Sequence, residues 1–328
     1  MVLWGVAAVL AAFTVVRLTG AERGTPLVQL MAFTPYAAPV ALLCAAWAAV
    51  TGATGPWLVC VLAWAALSAV VVPRLLASSG AAADTGDAGG PRQGATLRVM
   101  TANVLYDRGD VAAVLEQAKV DDVDVLAVQE LTAGGLAALD EAGVDGLLPF
   151  RVAHPAGRGN GSALFSRHPL TPHGTDGIAR RHPCGMLQAG ATVHVPGAGP
   201  VLVESVHPCA PRRQTACWAQ NLSVQPPAGG DVPRVLLGDF NATLDHAPLR
   251  RLLRTGYRDA AATRGRGLAP TWPFQRQPLL LPVVPWVTLD HVLADRRIGI
   301  GDVGTRAVPG SDHRAVFAEL HLPTVYGV

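Results

Sequence analysis

Charge is what the first quarter of this chain lacks. Not one Asp, Glu, Lys or Arg falls between Arg23 and Arg74, a run of fifty residues. Charged side chains make up 15% of the 328 residues and hydrophobic ones 50%, against about 25% charged in ordinary globular domains. The uncharged run is too long for one bilayer crossing, which takes about 20 residues. A surplus of one sign is also absent. The formal net charge is +2, too small to draw a nucleic acid by bulk electrostatics. None of the five cysteines has zinc-site spacing or the place of a nucleophile. No basic stretch precedes the apolar N-terminus, which argues against a cleaved signal peptide.

The uncharged run divides at Thr51 to Pro56, a turn-forming string. This predicts spans near 27–50 and 56–73, and the apolar stretch from Val2, ending at Arg17, predicts a first span near 2–17. Residues 1–76 therefore read as an anchor of about three transmembrane helices. Three spans put the chain ends on opposite sides of a membrane, so a cytoplasmic N-terminus places the remainder outside. Residues 77–95 lack apolar periodicity and read as a flexible linker.

From residue 96 to 328 the chain has ordinary charge density and length enough for its own core. Leu97–Val104 reads as a strand, Val111–Val120 as a helix and Val123–Val128 as a second strand. Further strands are expected at Ser162–Phe165, Leu187–Val195, Val201–Val206, Val235–Leu237, Trp286–Leu293 and Ala315–Leu320, with a hairpin turn at Pro196–Pro200. Strands mixed with helices predict an α/β sandwich of layers.

Polar residues close these apolar runs: Asn103, Glu130, His207, Asp239, Asn241, Asp290, Asp312 and His313. Any one of them alone is better read as a cap, a turn former or a solvated carboxylate. Eight in order at strand ends point to a site on one sheet edge. Thr101-Ala-Asn103, Val128-Gln-Glu130, Gly161 to Arg167, Val206-His-Pro208, Gly238-Asp-Phe-Asn241, Leu289-Asp-His291 and Gly310-Ser-Asp-His313 together resemble the endonuclease/exonuclease/phosphatase superfamily, the deoxyribonuclease I-like enzymes. That resemblance covers about 97–320. It implies a four-layered αββα sandwich and phosphoester hydrolysis dependent on Mg2+ or Mn2+.

Phosphoester hydrolysis needs charge drawn off non-bridging oxygens, an activated water and a protonated leaving oxygen. Mg2+ prefers a few hard carboxylate oxygens, so Glu130, Asn103 and Asp312 are the expected metal residues. Asp239 is expected to orient or deprotonate water. Asn241, two residues on and on the same side of an extended segment, is expected to donate to phosphate. His207 and His313 can bring a protonated imidazole to the transition state, and Asp290 is expected to pair with one of them. Two positions depart from relatives: Leu105 stands where some carry an acidic residue, with Asp107 nearby, and Thr132 stands where some nucleases carry a basic one.

The anchor and the apolar, proline-broken segment Pro278 to Trp286 favour a phosphorylated lipid in the bilayer over a stable nucleic-acid partner. Arg158, Arg167, Arg180, Arg181, Arg212 and Arg213 could line a groove for DNA, yet would serve a diphosphate equally well. Three spans before such a domain resemble the VanJ-type teicoplanin resistance proteins, which implies dephosphorylation of undecaprenyl diphosphate. An extracytoplasmic Mg2+-dependent nuclease and a catalytically silent tethered binding module are the competing readings. If residues 187–206 form a hairpin, Cys184 and Cys209 meet beyond its open end and suit a disulfide, with Cys209–Cys217 the alternative.

Overall fold

The computed structural model describes residues 1–77, 95–173, 183–212, 214–274 and 285–323. The linker, Arg180, Arg181, Arg213 and most of the segment before Trp286 lie outside them. The chain opens with α1 (Val2–Thr19), α2 (Leu27–Met31), α3 (Thr34–Val50) and α4 (Thr54–Val71). Among the described residues two helices, Val2–Thr19 and Thr54–Leu75, rather than the expected three, are long and apolar enough to cross a membrane; Thr34–Val50 is shorter. The continuous helix expected over 27–50 is broken. Pro35 has no N–H to offer the carbonyl of Met31, and the Thr34 hydroxyl donates to that oxygen instead, at 2.8 Å. Small residues fill the seam between the helices (Ala7, Ala41, Ala45, Cys60 and Ala63 are buried), while Val9, Leu43 and Leu62 are 60–70% exposed. A seam of small residues with several large apolar ones facing outward is compatible with helices packed in lipid.

The second part begins with β1 (Thr96–Asn103), α5 (Val111–Val120), β2 (Val125–Gln129), α6 (Ala133–Glu141), α7 (Val144–Leu147), β3 (Phe150–His154) and β4 (Ser162–Ser166). It continues through β5 (Leu170–Pro172), β6 (Gly190–His194), β7 (Pro200–Val206), α8 (Thr215–Ser223), β8 (Arg234–Asp239), α9 (Ala247–Arg254), β9 (Tyr257–Asp259) and α10 (Ala260–Thr263). The last strands are β10 (Asp290–Asp295), β11 (Gly299–Ala307) and β12 (Arg314–His321). The expected strand at Trp286 starts only at Asp290; Val287 instead bridges Trp272.

Two six-stranded sheets result, ordered β11-β12-β1-β2-β4-β3 and β5-β6-β7-β8-β10-β9. Inner faces such as Val99, Val125, Val203 and Leu237 meet in one core between the sheets. Outer faces pack beneath α5 and α6 on one side and α8 and α9 on the other, so the layers run helix, sheet, sheet, helix. Each sheet holds one parallel pair, β1 with β2 and β7 with β8. A parallel pair ends both its strands on one edge, and the antiparallel neighbours β12 and β10 begin on that same edge. This arrangement gathers residues from across the sequence.

The predicted hairpin forms, with β6 pairing β7, but the expected Cys184–Cys209 disulfide does not. Cys184 is bonded to Cys217, and Cys209 is a free thiol. The three sulfurs lie within 4.8 Å of one another. The hairpin brings Cys184 to Cys209 as expected, and α8 delivers Cys217 to the same spot, a placement that no sequence spacing encodes. Gly238 explains the glycine before Asp239. Its φ is 153°, and a Cβ there would stand 1.9 Å from the Val206 carbonyl oxygen, on the neighbouring strand that leads to His207. Gly238→Ala is expected to destabilise the domain by about 3 kcal/mol or more, read as a fall in the thermal midpoint of purified protein.

Candidate active site

The residues of the site come from the ends of β1, β2, β7 and β8 and the starts of β10 and β12. Buried polar bonds stitch the two sheets together just beneath them. Thr101 donates to Gln129 at 3.0 Å, and Gln129 donates across the sheets to the Ser205 hydroxyl at 2.9 Å. Ser311 donates to the Asn103 carbonyl at 2.8 Å and accepts from the His313 backbone at 3.1 Å. Gln129 and Ser311 stand within motifs already quoted but were given no role from sequence, and Ser205 was not singled out. Their roles show only in tertiary contacts, Gln129 with Ser205 across the sheets and Ser311 with the end of β1.

Above this layer, Asn103 is the hub. Its amide nitrogen donates to Glu130 Oε1 and to Asp239 Oδ2, both at 3.1 Å, and its oxygen accepts from the Leu105 backbone at 3.0 Å. Asn103 thus turns nitrogen toward the carboxylates and holds them together. Asp239 also accepts from the backbone and side chain of Asn241, at 2.8 and 3.3 Å. Asn241 donates its amide to the Pro208 carbonyl as well, at 3.0 Å, so its bonds fix Asp239 and the loop after His207. His207 Nε2 stands 3.7 Å from both Glu130 and Asp239. Glu130 and Asn241 sit at φ of 60° and 48°, a left-handed backbone that is costly for side-chain-bearing residues and concentrates at functional sites.

The structure answers which histidine Asp290 serves. His313 Nδ1 lies 2.9 Å from Asp290, and its Nε2 faces Asp239 at 3.7 Å. Asp239, Asp290 and His313 offer ligand atoms within 4.8 Å of one another. The neighbouring His291 points the other way, to Asp259 and the Ala242 carbonyl, both at 2.8 Å. Adjacent strand residues face opposite sides, so one motif splits into a site carboxylate and a structural imidazole.

Electrostatics divides the two site histidines. Burial works against a charged His313, but the carboxylates of Asp290 and Asp239 overcome it and hold it up at about 10. Burial pushes His207 down, and the charge on His313 acts the same way against the pull of Asp239. One imidazole is therefore charged and the other neutral near pH 7. Burial raises Glu130 to about 7 against the Asn103 hydrogen bond, with Asp239 and Asp312 adding repulsion. Asp239 is raised as well, again chiefly by burial.

These carboxylates fit a hard divalent cation. Glu130 Oε2, Asp312 Oδ1 and Asp290 Oδ1 are buried with no hydrogen-bond partner, and carboxylate oxygens left without donors suit a bound cation. Asp312 is positioned by the Trp272 indole, which donates to its other oxygen at 3.0 Å. Tyr106, missed in the sequence, stands close enough for Glu130 and Asp312 to raise its hydroxyl pKa, with Arg212 opposing. Asp107, near the first departure from relatives, meets the second: it accepts from the backbone and hydroxyl of Thr132 and so braces the start of α6. Arg167 does not line a groove, since it pairs with Asp122 and Asp124 at 2.7 and 3.0 Å.

Two sheets flanked by helices, with carboxylates, amides and imidazoles converging on one edge, define a phosphoesterase-type α/β sandwich. The sequence profile of the Endonuclease/Exonuclease/phosphatase family matches residues 100–313, and the chain belongs to that family. Similar solved structures share its fold. An endonuclease/exonuclease/phosphatase from Beutenbergia cavernae superposes with a TM-score of 0.54 at 20% identity, over 69% of this chain and 72% of that one. TDP2 from Caenorhabditis elegans gives 0.55 at 17% identity, over 79% and 86%. TDP2 from D. rerio, complexed with a single-strand DNA product, gives 0.54 at 16%, over 69% and 99%. No curated protein matches the chain. Members of this family are typically phosphoester hydrolases that use divalent metal ions.

Asp239→Asn and His313→Ala are each expected to lower kcat by roughly 10²–10⁴-fold with KM little changed, measured on any phosphoester the protein turns over. His291 gives a pH prediction on stability. Burial disfavours its charge, but Asp259 outweighs burial and raises it above the ordinary 6.5. The stabilisation from a raised histidine is complete below 6.5 and is lost as pH climbs through the folded value. The thermal midpoint should therefore fall as pH rises above 6.5. His291→Gln should flatten that fall and destabilise the neutral-pH protein by about 3 kcal/mol, because it strands the buried Asp259.

Proposed function

We propose that this protein is a membrane-anchored, divalent-metal-dependent phosphoesterase that hydrolyses a lipid-linked phosphate, with undecaprenyl diphosphate the substrate that fits best. The observation carrying this reading is that a phosphoesterase-type charge cluster adjoins the end of an apolar helical bundle. Tyr36, in α3, donates to the carbonyl of Trp286 at 2.7 Å, and Trp286 is 56% exposed four residues before Asp290. An exposed indole beside lipid-type helices suits headgroup depth. In this reading the catalytic domain lies outside the cytoplasmic membrane and recycles the cell-wall carrier, a role linked to teicoplanin resistance.

Glu130 and Asp312, with Asn103 beside them, would hold Mg2+ or Mn2+, which when bound draws charge off the phosphate oxygens. The charged His313 faces the space above Asp239 and donates to a phosphate oxygen as negative charge builds there. Asp239, held by Asn103 and Asn241, accepts a proton from the attacking water. Neutral His207 stands beside both carboxylates and can pass that proton on. Asp290 keeps His313 charged and oriented. The intact acid, amide and imidazole set argues against a silent binding module.

A nuclease reading draws support from Arg158 and Arg212 and from the DNA product bound to the D. rerio relative. Purified protein assayed against undecaprenyl diphosphate in detergent micelles and against single- and double-stranded DNA separates the two. We expect phosphate release from the lipid, its loss on adding EDTA and its return with excess Mg2+ or Mn2+. DNA cleavage without phosphate release from the lipid would overturn the proposal. Protease accessibility in intact cells tests the side of the membrane on which the domain lies.

A further inference from the structure

The helical bundle and the catalytic domain are joined by more than the chain connecting them. Asp245 is fully buried and holds two arginines from the bundle. Arg17, at the end of α1, reaches it at 2.7 Å, and Arg74, just after α4, grips both its oxygens at 2.7 and 2.8 Å. The two guanidinium side chains are 5% and 10% exposed. A bidentate pair to a dry carboxylate is strong and directional. Around this clasp, Glu22 accepts from the Ala247 backbone, His246 meets the Val28 carbonyl at 2.9 Å, and Gly267 donates to the Arg74 carbonyl at 3.0 Å.

The places gripped are not scattered over the domain. Asp245 lies four residues after Asn241. Pro211, whose carbonyl accepts from Gln29, lies four residues after His207, and Thr25 donates to the next carbonyl, of Arg212, at 3.4 Å. Trp286, held by Tyr36, lies four residues before Asp290. Each of these rim segments leads directly to a site residue. The bundle ends involved (Arg17, the 20–34 connection and Arg74) all lie on the same side, away from Met1 and the 51–53 turn.

We propose that Arg17, Arg74 and Asp245 are positioning residues that lock the catalytic domain onto the membrane helices with its active edge beside the bilayer surface. A phosphate at headgroup depth is then met by a site already at the right height and orientation, without the domain moving on residues 78–94. The inference rests on the lipid-phosphate reading for its purpose, and on the buried clasp for its existence. The bonds among Asn103, Glu130, Asp239, Asp290 and His313 lie wholly within the domain, so chemistry on a soluble ester does not need the clasp.

The test uses full-length protein in phosphatidylglycerol-containing vesicles, with a protease recognition sequence inserted within residues 78–94. The variant combines Arg17→Gln, Arg74→Gln and Asp245→Asn, which removes all three charges together and strands none of them. After cleavage, the unmodified domain is expected to sediment with the vesicles and the variant domain to be released. Uncut variant should lose about tenfold or more of its turnover on a vesicle-embedded prenyl diphosphate. Its turnover of bis(p-nitrophenyl) phosphate should stay within about twofold, which also reports that the site is folded. Asp245→Glu alone, which keeps a carboxylate between both arginines, should keep much of the retention. Release of the unmodified domain on cleavage, retention of the variant domain, or equal loss on both substrates would overturn the proposal. If the unmodified protein hydrolyses only the soluble ester, the lipid reading fails, and sedimentation still decides whether the clasp exists.

Discussion

Glu130, Asp239, Asp290 and Asp312 converge on one edge of the sandwich with two imidazoles and two amides among them, in a space from which solvent is largely excluded. Their mutual repulsion and the loss of hydration are the dominant forces at this place. Burial, helped by repulsion from Asp239 and Asp312, lifts Glu130 toward neutrality, and Asp290 and Asp239, with Asp312, keep a proton on His313 against burial. A group of acids so arranged is unstable by itself and tolerable around a cation. The left-handed backbone at Glu130 and Asn241 belongs with this, since local strain is retained where a rigid scaffold over-determines it.

That scaffold is the pair of sheets. Placing a parallel pair at the centre of each sheet sends four strand ends to one edge, and the antiparallel partners return two strand beginnings there. The polar stitch through Gln129 and Ser205 fixes the two edges relative to each other. Buried networks of this kind specify one arrangement because a half-made network is worse than none. The glycine at 238 serves the same end, letting β7 and β8 approach closely at the point where His207 and Asp239 emerge.

The helical part follows opposite rules. Small residues line much of its seam and several large apolar ones face outward, a pattern compatible with apolar surroundings, where packing rather than water exclusion joins helices. Among the described residues, ionic contact with the domain lies at the bundle's end, where Arg17 and Arg74 share one buried carboxylate. Arginine suits that task because its planar fork satisfies a carboxylate at two points.

Sequence by itself determined that strands mix with helices in an α/β sandwich and marked the eight polar residues, because alternation of apolar side chains and their abrupt ending at a polar residue are local properties; the edge and short strands β3, β5, β9 and β11 carry no such pattern and were not legible. It also marked the apolar N-terminal region, though the break before Thr34 depended on a hydroxyl reaching a carbonyl freed by Pro35. Pairings across long separations were decided by tertiary structure alone. Asp290 and His291 are neighbours in sequence, yet one faces the site and the other Asp259, because a strand alternates its faces. Cys184 bonds Cys217 because α8 carries it there, and Asp245 was unremarkable until Arg17, 228 residues away, closed on it. Side-chain chemistry is written residue by residue, whereas which groups share a dry space depends on how two sheets and a helical bundle come together.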